Sequence, residues 1–340
     1  MRGGANARSD VPKRRIFGRY VSEEVVSSLL ENPEGLEIRG EKRRVSILVS
    51  DLRGFSTLTE ALAPPQVVSL LNGYLGTMSE IIQRHGGTID EFLGDAVLAF
   101  FGAPVSREDD AERAVAAAMA MQLAMEQVNE RNRKAGLPEI EMGVGIATGD
   151  VIVGNIGSEK RTKYGAVGSP VNLATRIESY TLGGEILISD ATLEDTRGLV
   201  RTSRTREVHP KGLDAPIRIH GVSAIGGGYD LQLPDREAEL VDLAEEIPVR
   251  FGVLEGKHVA GLTSRGALCA LSRGSARLRS REPVPELGEL RLELVGSAGA
   301  FYAKVVTGSE GEAGEPSLLR FTTRSPELDR VVERALAGGR

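Results

Sequence analysis

Apolar and polar positions follow two different periods along this chain, and the switches between them mark out its elements. Val45–Val49 is an apolar run of strand length closed by Ser50-Asp51. Ser56 through Gln83 has helical spacing, broken by Pro64-Pro65, which ends one short helix and starts the next. Gly86-Gly87 stops that helix, and two short strands follow around a tight turn at Gly94-Asp95. Ser106-Arg-Glu-Asp-Asp then opens a long Ala-rich helix to about Lys134, with its acids at the positive end of the helix dipole. Ile140–Ala147 and Val151–Ile156 read as a hairpin turning at Thr148-Gly-Asp. Gly168-Ser-Pro170 leads into another helix, and short strands at Ile186–Ile188 and Ile217–Ile219 complete the unit. Upstream, Ile16–Leu30 has amphipathic helical spacing behind a polar, basic tail with little to bury.

Mixed helices, strands and hairpins predict an α+β sandwich and argue against a doubly wound sheet. Beyond the glycines Gly226-Gly-Gly228 and the acidic segment after them, the pattern changes. Ala276-Arg-Leu-Arg and Leu290-Arg-Leu-Glu-Leu alternate between turn residues, and a last helix runs from about Glu327 to Ala337. That pattern predicts a small β-barrel. The expected organisation is a tail and lead-in helix over 1–43, a catalytic domain over 44–224, a linker over 225–246 and a barrel over 247–340.

The 340-residue length suits two domains that each bury a core. A net charge of −6 argues against a nucleic-acid partner, which would call for a basic face. The single cysteine, Cys269, excludes an internal disulfide and fits a reducing, cytoplasmic setting. No apolar run has the length of a membrane span, and the four histidines lack metal-ligand spacing.

The chemistry points to two aspartates at strand ends, Asp51 and Asp95. If their strands are neighbours, both carboxylates leave the same sheet edge, as hard divalent cations require. Val171-Asn172-Leu-Ala-Thr-Arg176 sets Asn and Arg one helical turn apart on one face. Together these segments closely resemble the catalytic domain of the class III nucleotidyl cyclases, over roughly Arg43 to Ile219. The resemblance implies a ferredoxin-like sandwich and a homodimer with composite sites.

It also implies roles for individual residues. Asp51, Asp95 and the Leu52 carbonyl would hold two divalent cations, Mg or Mn. Asn172 would orient the ribose and Arg176 would meet the α-phosphate. Lys211, with Lys160 and Arg161, would bind the triphosphate. Asp51 and Asp95 would come from one protomer, and Glu91, Ser169, Asn172, Arg176 and Lys211 from the other. Glu91 and Ser169 stand at the base-reading positions. A carboxylate accepts from guanine N1–H and N2–H₂ but faces a lone pair on adenine N1, so Glu91 favours GTP. Ser169 can donate to guanine O6 or accept from adenine N6, and does not discriminate. The alternatives are an adenylate cyclase and, in another class, an inactive cyclase-like nucleotide sensor or scaffold.

Ala270-Leu-Ser272-Arg-Gly-Ser275 and its flanking strands are similar to a PilZ domain. Arg250 lacks an arginine partner at the expected spacing, Ala270 replaces an acid or amide, and Ser275 replaces a glycine. Those departures speak against cyclic di-GMP binding. Two other motifs are set aside. Gly252-Val-Leu-Glu-Gly256-Lys257 is one residue short of a phosphate-binding loop, and Gly143-Val-Gly145 fits close packing in a strand.

Overall fold

The computed structural model describes residues 40–338, apart from 159–160, 211, 213–214, 235–239, 256–257, 260, 298 and 310–315. The basic tail and the helix expected over Ile16–Leu30 lie outside the described residues. The chain divides into two units: one runs to Leu52 and from Ala63 to Pro234, the other holds Arg53–Leu62 and everything from Asp235.

The first unit is built on β1 (Gly40–Leu52), with the helix α1 (Phe55–Ala61) assigned to the other unit. The helix α2 (Pro64–Arg84) leads to β2 (Thr88–Leu93) and β3 (Ala96–Phe101). The helix α3 (Asp110–Lys134) leads to β4 (Met142–Ser158). These four strands lie in the order β2-β3-β1-β4, every neighbour antiparallel, which is the ferredoxin-like arrangement expected. β5 (Arg161–Val167) pairs with β4 and feeds α4 (Ser169–Ser179). Beyond β4 the sheet continues through β6 (Ile186–Ser189), and α5 (Asp190–Asp195) follows β6 in the chain. β8 (Ile217–Ile225) and β7 (Val200–Val208) complete that side, and β9 (Leu231–Gln232) pairs with β8.

The core follows from the sequence. Ile47, Leu48, Phe100 and Phe101 are fully buried in the central strands, and α2 contributes Tyr74 and Met78. α3 buries an unbroken stretch from Ala111 to Met119, so small side chains let it pack closely. Arg113, itself buried, donates to the carbonyls of His85 (2.7 Å) and Gly86 (2.9 Å) and pairs with Asp109 and Asp110. The acids opening α3 therefore balance a buried cation that ties the end of α2 to the start of α3.

Two expectations need correction. Thr148-Gly-Asp is no turn. β4 runs straight through it, because Gly149 and Asp150 continue the ladder opposite Val45 and Arg44. The Thr148 hydroxyl is also occupied, 2.8 Å from Ser46 Oγ and 3.0 Å from Thr192 Oγ1. The hairpin partner of β4 is instead β5. β7 was not anticipated either. Its run Arg201-Thr-Ser-Arg-Thr-Arg-Glu carries no apolar face, which suits a strand at the sheet edge.

The second unit holds β10 (Val241–Glu255), β11 (His258–Val259), β12 (Ser264–Leu271) and β13 (Ser275–Ser280). It continues with β14 (Glu289–Leu294), β15 (Ala300–Thr307), β16 (Ser317–Thr323) and the helix α6 (Pro326–Gly338). Six antiparallel strands, β10-β12-β13-β16-β15-β14, close into a barrel through the β10–β14 pairing. Phe251, Leu278, Leu292, Phe301 and Leu319 fill its interior, and Leu328 and Val332 of α6 join that core. Alternate residues point inward, as the sequence period requires. Gly252 and Val253 pair with β14 and Leu254 with β11, so the described part of the segment resembling a phosphate loop is strand, while Gly256 and Lys257 lie outside the described residues. The unit boundary after Pro234 falls inside the stretch expected as a linker, and β9 and the start of β10 lie within that stretch.

Candidate active site

Asp51 is the penultimate residue of β1, and Asp95 sits in the two-residue turn that joins β2 to β3. Gly94 beside it has φ +70, a left-handed conformation that glycine adopts without strain, so the turn can stay tight. Because β3 pairs with β1, with Val97 opposite Ser50, the turn comes back to the end of β1. The Leu52 amide donates to Asp95 Oδ2 at 3.2 Å, and the Asp51 and Asp95 carboxyls meet in hydrogen-bonding contact. Burial, then the Asp51 carboxyl beside it, push the Asp95 carboxyl up to about 7, against the pull of backbone amides including that of Leu52. Two acids forced together at an edge repel when both are ionised, and a divalent cation with hard oxygen preference would offset that repulsion. The donor set therefore fits Mg or Mn. Among the described residues no group of three or more His, Cys, Asp or Glu side chains is assembled for a metal.

α4 presents the second group of residues. Ser169, Asn172 and Arg176 are spaced i, i+3, i+7 and share a face. Ser169 and Asn172 are exposed and Arg176 is half-buried, while Pro170, Ala174, Ile177 and Glu178 are buried on the other side. Gly145 sets how closely that buried side approaches β4. A Cβ there would overlap the Glu178 amide and come 2.6 Å from the Ala174 carbonyl oxygen. Gly145 of the Gly143-Val-Gly145 run thus serves close packing in a strand. Pro170 takes an early helical position and packs on Gly149.

Arg176 also reaches the loop after β7: a Cβ on Gly212 would lie 3.3 Å from its Nη2. Lys211 and Lys160 lie outside the described residues. Arg161 opens β5 opposite Ser158, and its side chain is likewise outside them.

Glu91 lies in β2 next to a bulge, where the ladder slips between Ile89 and Glu91. The bulge residue, Asp90, has a side chain only 2% exposed. Lys163 of β5 stands 3.0 Å from a carboxylate oxygen of Asp90 and 3.0 Å from one of Glu91. Neither Lys163 nor Asp90 stood out in the sequence. Their pairing crosses from β5 to β2, strands far apart in the chain, so no local spacing reveals it.

In the barrel, the Ser272-Arg-Gly-Ser275 segment is a turn closed on itself, the Ser275 amide donating to Ser272 Oγ at 3.0 Å. Arg250 is held by Glu293 at 3.0 Å.

The family model for the adenylate and guanylate cyclase catalytic domain matches residues 39–222, more than half of the chain. The chain belongs to that family, whose members use divalent metal ions. Among solved structures, the guanylyl cyclase Cya2 is 54% identical with a TM-score of 0.57, covering 58% of this chain and 100% of that one. The adenylyl cyclase CyaB from P. aeruginosa is 37% identical with a TM-score of 0.53, covering 56% and 98%. Adenylate cyclase 1 of Rhizobium meliloti is 32% identical over 211 residues, and an adenylate cyclase of Anabaena cylindrica is 33% identical over 221. The matches take in 62% and 61% of this chain but only 32% and 43% of those relatives, so it spans less than half their length. Among the described residues no helix is long and apolar enough to cross a membrane.

Proposed function

We propose that this chain is a class III nucleotidyl cyclase acting as a homodimer, with GTP favoured over ATP. One observation carries the reading: Asp51 and Asp95 meet at one sheet edge in a family whose domain here also keeps Asn172 and Arg176 on one helix face. The reaction forms a bond from the ribose 3′-oxygen to the α-phosphorus and breaks the bond from that phosphorus to the bridging oxygen. Pyrophosphate leaves with the bonding electrons, and the hydroxyl proton passes to solvent. Divalent cations held by Asp51, Asp95 and the Leu52 carbonyl would make the hydroxyl more acidic and neutralise phosphate charge.

The remaining work falls to side chains. Arg176, whose guanidinium can grip two oxygens at once, suits the charge that builds on the α-phosphate. Asn172, one turn before it, orients the ribose. Lys211, Lys160 and Arg161 bind the triphosphate. Glu91 reads the base, assisted by Ser169. The two groups of residues serve a site completed across a two-fold axis, Asp51 and Asp95 from one protomer and the base- and ribose-binding set from its partner. The barrel is a regulatory or interaction module, PilZ-like in architecture. Its self-closed Ser272–Ser275 turn and occupied Arg250 give no support to cyclic di-GMP binding.

Adenylate cyclase activity is the second reading, supported by the curated relatives that carry that name. Incubating the purified protein with ATP or GTP and Mg²⁺ or Mn²⁺, then separating products by chromatography, tests both. A 3′,5′-cyclic nucleotide with equimolar pyrophosphate is expected; hydrolysis products alone, or none, would refute the reading.

A further inference from the structure

The β2 bulge puts two consecutive acids on one cation. In a regular strand Asp90 and Glu91 would point to opposite faces, since successive side chains alternate. The extra residue breaks the alternation, and both carboxylates come within 3.0 Å of Lys163 Nζ. The three side chains are not equivalent. Asp90 is 2% exposed, against 39% for Glu91 and 45% for Lys163. Asp90 is thus the fixed end and Glu91 the end that faces solvent.

Asp90 is held from several sides. It accepts from the Ala166 amide, and β5 passes so close that a Cβ on Gly165 would come 2.8 Å from Asp90 Oδ1. Tyr164, next to Lys163, packs on Phe100 of β3 with ring centroids 6.2 Å apart, fixing the strand that carries the lysine. The charges are mutually dependent. Burial raises the Asp90 carboxyl above its ordinary value, and Lys163 pulls it back. Burial also opposes charge on Lys163, but its bonds to Asp90 and Glu91 outweigh that and hold the ammonium above the usual lysine range.

We infer that Lys163, anchored on buried Asp90, is a positioning residue that holds the Glu91 carboxylate aimed for base selection. This rests on the reading of Glu91 as the base-contacting residue. The chemistry favours it. A carboxylate accepts several hydrogen bonds, so the oxygen engaged by Lys163 leaves the other oxygen, and remaining lone pairs, for the two donors on the guanine edge. A long glutamate free to rotate would lose rotamer freedom on meeting the base, and a carboxylate already fixed loses less. Lys163 also connects the two base-reading positions, since its strand β5 runs directly into α4, which begins at Ser169.

The test is kcat/KM for GTP and for ATP in the full-length protein carrying Lys163→Met, Lys163→Arg, Glu91→Ala or Lys163→Met with Glu91→Ala. Lys163→Met should cut the GTP:ATP ratio by about tenfold, mainly through KM for GTP, while ATP turnover changes by less than about threefold. Lys163→Arg should restore most of the ratio, since an arginine can bridge both carboxylates. The double variant should match Glu91→Ala alone, because a positioning residue has nothing left to position. A melting temperature for each variant separates this from a structural role, which would lower both nucleotides' kcat together. If the ratio falls in Glu91→Ala but holds in Lys163→Met, positioning by Lys163 is overturned and the reading of Glu91 survives. If the ratio holds in Glu91→Ala as well, both fall.

Discussion

The Leu52 amide donates to the Asp95 carboxylate at 3.2 Å, joining the end of β1 to the turn after β2. That one bond fixes where both acidic side chains of the proposed metal site stand, since Asp51 immediately precedes Leu52. It also makes Asp95 a structural acceptor as well as a proposed metal ligand.

Asp51→Ala and Asp95→Ala should each lower turnover at least about a hundredfold, beyond what loss of a supporting contact produces. Both variants should keep the far-ultraviolet spectrum of the parent. Activity above about a hundredth of the parent in either would count against metal binding at this pair.

The raised Asp95 carboxyl gives a pH dependence whose sign can be stated. Its folded value of about 7 lies above the ordinary aspartate value, so between those values the folded state binds more protons than the unfolded state. The stability Asp95 contributes is full below the ordinary value and is lost as pH rises towards 7. In chelator-treated protein, Asp95→Asn should therefore raise the melting temperature at pH 8 relative to the parent, with the difference vanishing near pH 4. The half-exposed setting limits the effect to about 1–2 kcal/mol after allowance for solvent screening. Mn²⁺ should stabilise the parent at pH 8 and leave Asp95→Asn unmoved. Equal stabilisation of both would place the cation elsewhere.

Gly145→Ala should cost about 3 kcal/mol or more and lower activity, because its Cβ would collide with the backbone of α4. Denaturant unfolding checks this. An unperturbed midpoint would mean that α4 can shift without cost, contrary to the packing described.

Much of this site was legible before the structure. Asp51 and Asp95 follow apolar runs whose pairing could be guessed, and Asn172 and Arg176 share a face by helical arithmetic alone. What was not legible depended on pairing at a distance. β4 looked like a hairpin because Thr148-Gly-Asp has turn chemistry, but its ladder with β1 satisfies those backbone groups better than a turn would. β7 was hidden because an edge strand with no apolar face leaves no alternation to read. Lys163 was hidden because its partners, Asp90 and Glu91, lie across strands, and the bulge that aligns them is a property of the β2–β3 register.

The proposed sharing of the site between protomers can be tested by mixing. Asp51→Ala and Arg176→Ala proteins, each inactive alone, should regain up to about a quarter of the parent activity after subunit exchange, since half the dimers become mixed and each mixed dimer keeps one intact site. Native mass measurement should confirm the exchange. Mixed dimers without activity would show that these residues do not serve one site from opposite protomers.

The most direct measurement is a competition in one tube: purified protein, equimolar GTP and ATP, Mn²⁺, and chromatographic separation of the cyclic products over the initial rate. Both cyclic nucleotides should form with release of pyrophosphate, cyclic GMP should predominate, and Glu91→Lys should shift the products towards cyclic AMP. Absence of any cyclic nucleotide would contradict the catalytic reading itself. Predominance of cyclic AMP in the parent, with no change on replacing Glu91, would contradict the assignment of base choice to that carboxylate.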